Sequence, residues 1–440
     1  MIVTELTPFA EQFERLSQEP AAHFPDWVQS LRQSGRDRFI QVGFPTTKWE
    51  DWRFTPVTAI AQGRFASGPE NAATSEAAEW VSQASLAGMA CRLVFVNGRL
   101  QPDLSQLDGL PEGLAVGGLA DDLDSDGGIA SGVLGRQANI EHSPFTALNA
   151  ALFRDGAAIR LADGVEIEAP VHLIFVTSGG GDAVCSQPRN VVRIGRESRL
   201  NLVETHVGAP GEAYLTNSVT EIELGEASQL DHHKLQSDSI AGYHVATTYV
   251  SQAASSRYRN HYFAFGAALS RNEIHCYHAG EQVETVLHGL YLVSGSQLAD
   301  CRTRIDHAMP NCVSHEVYKG ILDDRARGVF NGKILVYPDA QKTDAKQSNQ
   351  ALLLSDDAVI DTKPELEIYA DDVRCTHGAT VGELDPKALF YLRSRGIPEA
   401  LARKMLIFAF ANDVVQGLRV ESLKRHLESV LLADHGLPSV

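Results

Sequence analysis

IGRESRL, residues 194–200, returns thirty positions later as LGEASQL, residues 224–230, and is foreshadowed by LADGV at 161–165. In each, an apolar residue leads into a short turn of Gly, Ser, Ala or acidic residues and then back to apolar ones. Fainter echoes are Val250-Ser251-Gln252-Ala253-Ala254, Val293-Ser294-Gly295-Ser296-Gln297-Leu298, Leu322-Asp323-Asp324-Arg325-Ala326 and Leu354-Ser355-Asp356-Asp357-Ala358-Val359. The intervals are about 26 to 33 residues, with one of about 43. A fixed period of this size marks a solenoid or a propeller. Between the breaks lie β-branched runs such as HLIFVT (172–177), LNLVETHV (200–207), HVATTYV (244–250) and GVFNGKILVY (328–337). A propeller blade needs four strands and about 40 residues, whereas a coil of two or three short strands fits these intervals. The pattern therefore predicts a mainly β protein, a right-handed parallel β-helix over residues 156–384, whose open ends need covering.

The flanks change period. In residues 1–155, Phe9, Phe13 and Leu16 form an i, i+4, i+7 stripe and Trp27 with Leu31 an i, i+4 pair, both helical. A polar passage (63–80) and the Gly/Asp-rich stretch 112–136 read as loops, and Ser143 to Phe153 as a further helix. In residues 385–440, Leu389 and Leu392, and then Leu401, Met405, Phe408 and Asn412, recur at helical spacing, with Pro398 expected at N1. A last helix from Glu421 to about Asp434 is expected to stop at His435-Gly436, with Pro438 beyond.

The 440 residues carry a formal net charge of -18, which disfavours nucleic acid and anionic membranes as partners. The chain contains no run of about 18 apolar residues, and its start, MIVTELTPFAEQFERL, has neither a basic n-region nor an Arg-rich transit character. A cytoplasmic protein is expected. Cys91, Cys185, Cys276, Cys301, Cys312 and Cys375 form no CxxC pair, which suits free thiols in a reducing compartment.

One stretch carries chemistry: KPELEIYADDVRCTHGATVGELDPKALFYLRSRGI, residues 363–397. The strand period of two puts Cys375 and His377 on one face, so a sulfur and a nitrogen donor converge there, suited to iron. Two donors are too few for a closed site. Cys276 with His278 repeats the spacing, His232 and His233 diverge to opposite faces, and Cys301 with Asp306 and His307, or Cys312 with His315, read as stacked polar residues of the coils. Gly179-Gly180-Gly181-Asp182 is a turn rather than a phosphate cradle, since no GxxxxGK[ST] is present.

This stretch, together with GFPTTKWEDWRFTP at residues 43–56, resembles the SufB/SufD family of iron–sulfur cluster assembly scaffolds, and its SufD-like branch in particular through Lys48-Trp49-Glu50 and Cys375-Thr376-His377-Gly378-Ala379-Thr380. The resemblance implies a non-catalytic scaffold that pairs with a SufB-like subunit and docks a SufC-like ABC-type ATPase, which would hydrolyse the ATP. It implies that His377 first, and Cys375 second, face the partner at a shared cluster-assembly site. It also implies that the tail, including Tyr391, Arg393, Arg395, Gly396 and Ile397, contributes the ATPase-docking surface. By the same resemblance, no cofactor is held stably by this chain alone; a transient iron–sulfur cluster is shared with SufB, reduced flavin belongs to the complexes, and an isolated chain can form a homodimer. Lys48, Trp49, Glu50, Trp52 and Arg53 are expected to fix the N-terminal region onto the body and are assigned no chemistry. Two alternatives are the paralogous SufB-like scaffold and a carbohydrate-active β-helix enzyme using carboxylates such as Asp323-Asp324 or Asp371-Asp372.

Overall fold

Strand follows strand at a constant length because each coil presents the same two ten-residue faces to its neighbours. The computed structural model describes residues 13, 24–68, 75–125, 127–179 and 183–434. Phe9, Leu16, Gly180, Gly181, Asp182 and the expected stop at His435, Gly436 and Pro438 lie outside the described residues. The first strands are β1 (Cys91–Val96), β2 (Arg99–Leu100), β3 (Leu114–Gly118), β4 (Ala157–Leu161), β5 (Val171–Thr177), β6 (Cys185–Ser186) and β7 (Arg189–Ile194). The regular coils then run through β8 (Arg199–Gly208), β9 (Leu215–Leu224), β10 (Gln229–Ser237), β11 (Tyr243–Gln252), β12 (Arg257–Ala264), β13 (Leu269–His278) and β14 (Glu284–Val293). They finish with β15 (Leu298–His307), β16 (Val313–Leu322), β17 (Arg327–Val336), β18 (Asp344–Leu353), β19 (Val359–Ile368) and β20 (Arg374–Gly382).

From β7 onward, odd strands stack in one parallel sheet and even strands in the other. The chain is thus a parallel β-solenoid of about eight turns with helical regions at both ends. Its interior obeys the strand parity: Tyr258, Tyr262, Leu287, Tyr291, Tyr318 and Leu322 from the even sheet meet Ile274, Cys276, Cys301, Ile305 and Phe330 from the odd one. Each large side chain so buried contributes about 1.5–3 kcal/mol. The same corner of six successive coils holds a residue in the left-handed region: Glu197, Ala227, Ser255, Gln282, Asn311 and Lys342, with φ from 53° to 64°. Non-glycine residues tolerate this because the corner amide bonds to the next coil, as in Glu197 N–H to the Glu226 carbonyl at 2.8 Å and Ala227 N–H to that of Ala254 at 2.9 Å. The interval of about 43 residues has a simple origin. The early breaks belong to this corner, and those at Gly295 and Asp324 to the opposite one, one and a half coils on.

Helices α1 (Asp26–Val42), α2 (Thr58–Ala61), α3 (Ser75–Ala84), α4 (Leu119–Asp124) and α5 (Pro144–Leu152) precede the regular coils. Phe39, Trp52, Phe145 and Leu148 from this region cover Leu215, Val245 and Leu269 on the outside of the odd sheet. Helix α5 is buried along its whole length, and the Ser143 hydroxyl caps it through the Thr146 N–H. The region is not only helix and loop: CRLVFV forms β1, paired in parallel with β5, so the even sheet begins well before residue 156. Its six residues, with Arg92 among them, were too few to announce themselves by period. Trp27 is exposed, and α1 instead buries Val28, Gly35 and Phe39.

After the last coil come α6 (Pro386–Ser394), α7 (Glu399–Val415) and α8 (Glu421–Asp434). Ile407, Ala411, Val414, Val415, Leu423 and Leu427 cover Leu235, Phe263 and Leu290 on the outside of the even sheet. The stripe expected from spacing, Leu401, Met405, Phe408 and Asn412, is therefore not the buried one. Helix α7 is apolar on two faces, and periodicity cannot say which of them docks inward. Pro398 is the N-cap of α7 rather than its first helical residue.

Two tyrosines cross over glycines of the neighbouring coil: Gly289 pairs in register with Tyr318, and Gly320 with Tyr291. A Cβ on Gly320 would lie 2.3 Å from the Tyr291 ring. Gly320→Ala should therefore lower stability by about 1–3 kcal/mol through overpacking, read as a fall in the urea midpoint. Gly378→Ala, with nothing within 4 Å of its added Cβ, is the control, and equal midpoints for the two variants would refute the packing account.

Candidate functional site

The solenoid is open at its C-terminal end. Strand β19 pairs with β17 and β20 with β18, and among the described residues nothing pairs with their other edges. Backbone donors and acceptors are thus offered outward, a surface that invites another strand. Cys375, His377, Ala379 and Val381 lie in register with Ala345, Gln347, Asn349 and Ala351, and so share the lumen-facing parity. Cys375 and His377 do come onto one face, but in unlike surroundings. Cys375 is half-buried against Ile334, Val336, Ala340, Ala345 and Ala370, and that burial pushes its thiol up. The loss of water favours the neutral thiol over the thiolate. His377 is exposed.

Beneath His377 lie two residues that the sequence reading missed. Gln347 is buried and its Nε2 donates to Glu316 Oε1 at 3.2 Å. Burial pushes the Glu316 carboxyl up to about 7, although Thr303 and Gln347 act to lower it. Stacking the coils at their period would have exposed the column Glu316, Gln347, His377, but only with the register known. Among the described residues no group of three or more His, Cys, Asp or Glu could hold a metal ion. Cys375 and His377 therefore stand as two donors.

The other clusters divide between the lumen, the outer faces and the corners. His232 points inward to Glu204 at 3.1 Å and Tyr258 at 3.0 Å, whereas His233 points outward and stacks on His261. Burial alone would raise Glu204, but Lys234 at 3.0 Å and hydrogen bonds to His206 and His232 outweigh it and hold the carboxylate well below its usual range. His278 Nε2 meets the Thr285 hydroxyl at 2.8 Å and His307 Nε2 that of Ser314 at 2.9 Å, with the two rings edge to face. Cys276, Cys301 and Cys312 are buried, and His315 is half-buried. Asp323 and Asp324 serve a corner, where Asp324 accepts from the Gly295 N–H at 3.0 Å, and Asp372 pairs with Lys342.

The N-terminal motif forms a strap across four successive strands of the odd sheet. Trp52 lies 3.6 Å from the Arg271 guanidinium of β13, Thr55 bonds Asp300 of β15 at 2.6 Å, and Asp51 pairs with Arg302 of the same strand. Phe54 packs beside Arg327 of β17, and Glu50 reaches Lys363 of β19. At the far side, α6 buries none of its residues, leaving Phe390 72% and Tyr391 57% exposed. Arg395 lies over the Tyr391 ring, Arg393 pairs with Glu399 at 3.1 Å, and Gly396 adopts φ 85° as the Ile397 N–H closes back on Leu392. Gly396 and Ile397 thus end the helix, whereas Phe390, which the sequence reading passed over, is its most exposed apolar side chain.

A coiled rod strapped along one flank, with free strand edges at one end and an uncovered helix beside them, defines a β-solenoid scaffold. Two family models match the chain: the SUF system FeS cluster assembly SufBD core domain over residues 175–410 and the SufBD protein N-terminal region over residues 4–173. An iron–sulfur cluster assembly SufBD family protein of Synechocystis is 33% identical over 407 residues, 90% of this chain and 88% of its own length. The iron–sulfur cluster assembly protein SufD of Escherichia coli is 31% identical over 406 residues, 92% and 91% of the two chains. Protein ABCI7, chloroplastic, of Arabidopsis thaliana is 29% identical over 423 residues, 92% and 86%. The chain belongs to the SufB/SufD family of iron–sulfur cluster assembly proteins and is SufD-like by homology. No helix among the described residues is long and apolar enough to cross a membrane.

Arg271 is fully buried between Asp300 and Glu273 and under Trp52. Arg271→Ala should cost about 3–5 kcal/mol, since it removes the buried cation from between two carboxylates. Adding Asp300→Asn should restore part of the loss in a denaturant titration, and strict additivity of the two changes would refute the coupling.

Proposed function

We propose that this chain is the SufD-type half of a two-scaffold assembly, meeting a SufB-like partner at the free edges of β19 and β20 and docking a SufC-like ABC-type ATPase on its C-terminal helices. The observation that carries the reading is the coincidence of His377 with the unpaired final rung: the one exposed imidazole of the motif sits where another strand would add. A thiolate and a neutral imidazole are competent iron ligands, and two donors here call for the rest of the set from a partner. The nascent cluster is cargo rather than a resident group. The half-buried, proton-retaining thiol of Cys375 supports a secondary role for it, and reduced flavin would belong to the whole complex. A reducing, cytosol-like compartment suits six free thiols.

Docking of the ATPase is supported by the second apolar face of the tail. Phe390, Tyr391 and Met405 are exposed while the opposite face of α7 grips the even sheet. ATP-driven approach of two such ATPases would pull on both tails and shear the paired edges, converting nucleotide binding into access to His377. The carbohydrate-active reading is disfavoured, since Asp323, Asp324 and Asp372 serve corners and Asp371 is left without a paired catalytic carboxylate among the described residues.

In complexes reconstituted with the SufB-like and SufC-like partners, His377→Ala should lower bound iron and sulfide about tenfold or more while the complex still co-elutes intact. A wild-type yield would remove His377 from the site, and Cys375→Ser should have the smaller effect. Phe390→Asp should weaken ATPase capture about tenfold, the effect of about 1.4 kcal/mol expected of an interface anchor. Its melting temperature should not change; undiminished capture would move the docking surface elsewhere.

A further inference from the structure

The lumen column that ends at His377 reads, from below, Leu287 on β14, Glu316 on β16, Gln347 on β18 and His377 on β20, each in register with the next. Leu287 separates this column from the charged group around Glu204 deeper in the coil. Glu316 is 1% exposed and Gln347 3%. The Gln347 amide donates through Nε2 to Glu316 Oε1 at 3.2 Å, which commits its NH₂ group downward and turns its carbonyl oxygen away from the carboxylate. That oxygen has no hydrogen-bond partner among the described residues, a costly condition for a buried acceptor. Room for the amide is specifically kept, because a Cβ on Gly332 would lie 2.0 Å from Gln347 Nε2.

The rung above offers a donor. Neighbouring strands are about 4.8 Å apart and in-register side chains share a face, so an inward-turned His377 ring comes within reach of the free oxygen. A ring nitrogen that donates leaves the other without a proton, which is how an outer partner fixes the tautomer of a ligating histidine.

We propose that Gln347, oriented from below by Glu316, is the positioning residue for His377: its Oε1 accepts the N–H of one ring nitrogen and leaves the other bare, facing the open end. The inference rests on the reading of His377 as a cluster-site residue, and it adds the reason that site needs two buried polar rungs beneath it. It also explains why Gly332 stands where a larger residue would fill the lumen.

The test uses the full-length protein labelled with ¹³C and ¹⁵N in its histidine rings, with the His377 signals assigned by their loss in His377→Ala. The wild type should show one dominant tautomer. Gln347→Met, similar in volume but without the acceptor, should return the exchanging mixture of an imidazole in water. Glu316→Gln, whose amide can donate as well as accept, should loosen the preference in the same direction and serves if the methionine variant folds poorly. In the reconstituted complex, Gln347→Met should also lower iron and sulfide by about tenfold. A mixed tautomer in the wild type, or a tautomer unmoved by both variants, overturns the proposal. If His377→Ala leaves cluster yield intact while the tautomer still follows Gln347, the cluster-site reading falls and the positioning stands; if His377→Ala abolishes yield while the tautomer ignores Gln347, the positioning alone falls.

Discussion

In-register stacking of parallel strands, coil upon coil, is the constraint on which everything else in this molecule depends. Because the side-chain period of a strand is two, a slip of one residue would turn every lumen residue outward. The register is fixed by the left-handed corners, whose amides bond the following turn, and by pairs such as Tyr291 over Gly320 that fit in only one alignment. Once the register is set, residues about thirty apart become neighbours. The same rule that packs Leu287 and Tyr318 into one core places Glu316, Gln347 and His377 in one column.

A stack of this kind has two covered flanks and at least one exposed end. The N-terminal region covers the odd sheet, and its strap is ionic as well as apolar: Arg271 is held between Asp300 and Glu273 beneath Trp52, and Glu50 extends the contact to the last odd strand. The C-terminal helices cover the even sheet. Among the described residues neither covering pairs with the free edges of β19 and β20, so the molecule keeps its backbone pairing capacity at the end where His377 sits. The position of the imidazole and the incompleteness of the stack are one structural fact.

The lumen is not uniformly apolar, and its polar groups are arranged by depth. Around Glu204, a lysine neutralises the carboxylate and two histidines bond to it, so that buried charge is paired within the coil. Near the open end the arrangement differs: Glu316 has an amide rather than a cation beside it, burial lifts its carboxyl to about 7, and the polar column runs on to a solvent-exposed ring. The inner group pairs its carboxylate within the coil. The outer one is unfinished.

Much of this was legible in the amino-acid order. The break at IGRESRL and its returns determined the solenoid, the change of period after Asp385 determined the helical tail, and strand parity determined that Cys375 and His377 share a face while His232 and His233 do not. Other features needed the fold. Which apolar face of α7 turns inward depends on the shape of the even sheet. CRLVFV became a strand only because β5 was there to pair with it. The lifted thiol of Cys375 follows from Ile334 and Val336 one rung away, and the link from Glu316 through Gln347 to His377 joins residues that a linear reading holds about thirty positions apart. Sequence alone determined the repeating local preferences, because period and turn chemistry act over a few residues; tertiary structure decided burial, register and the solvent-facing end, because those are set by which coil lies next and by where the stack stops.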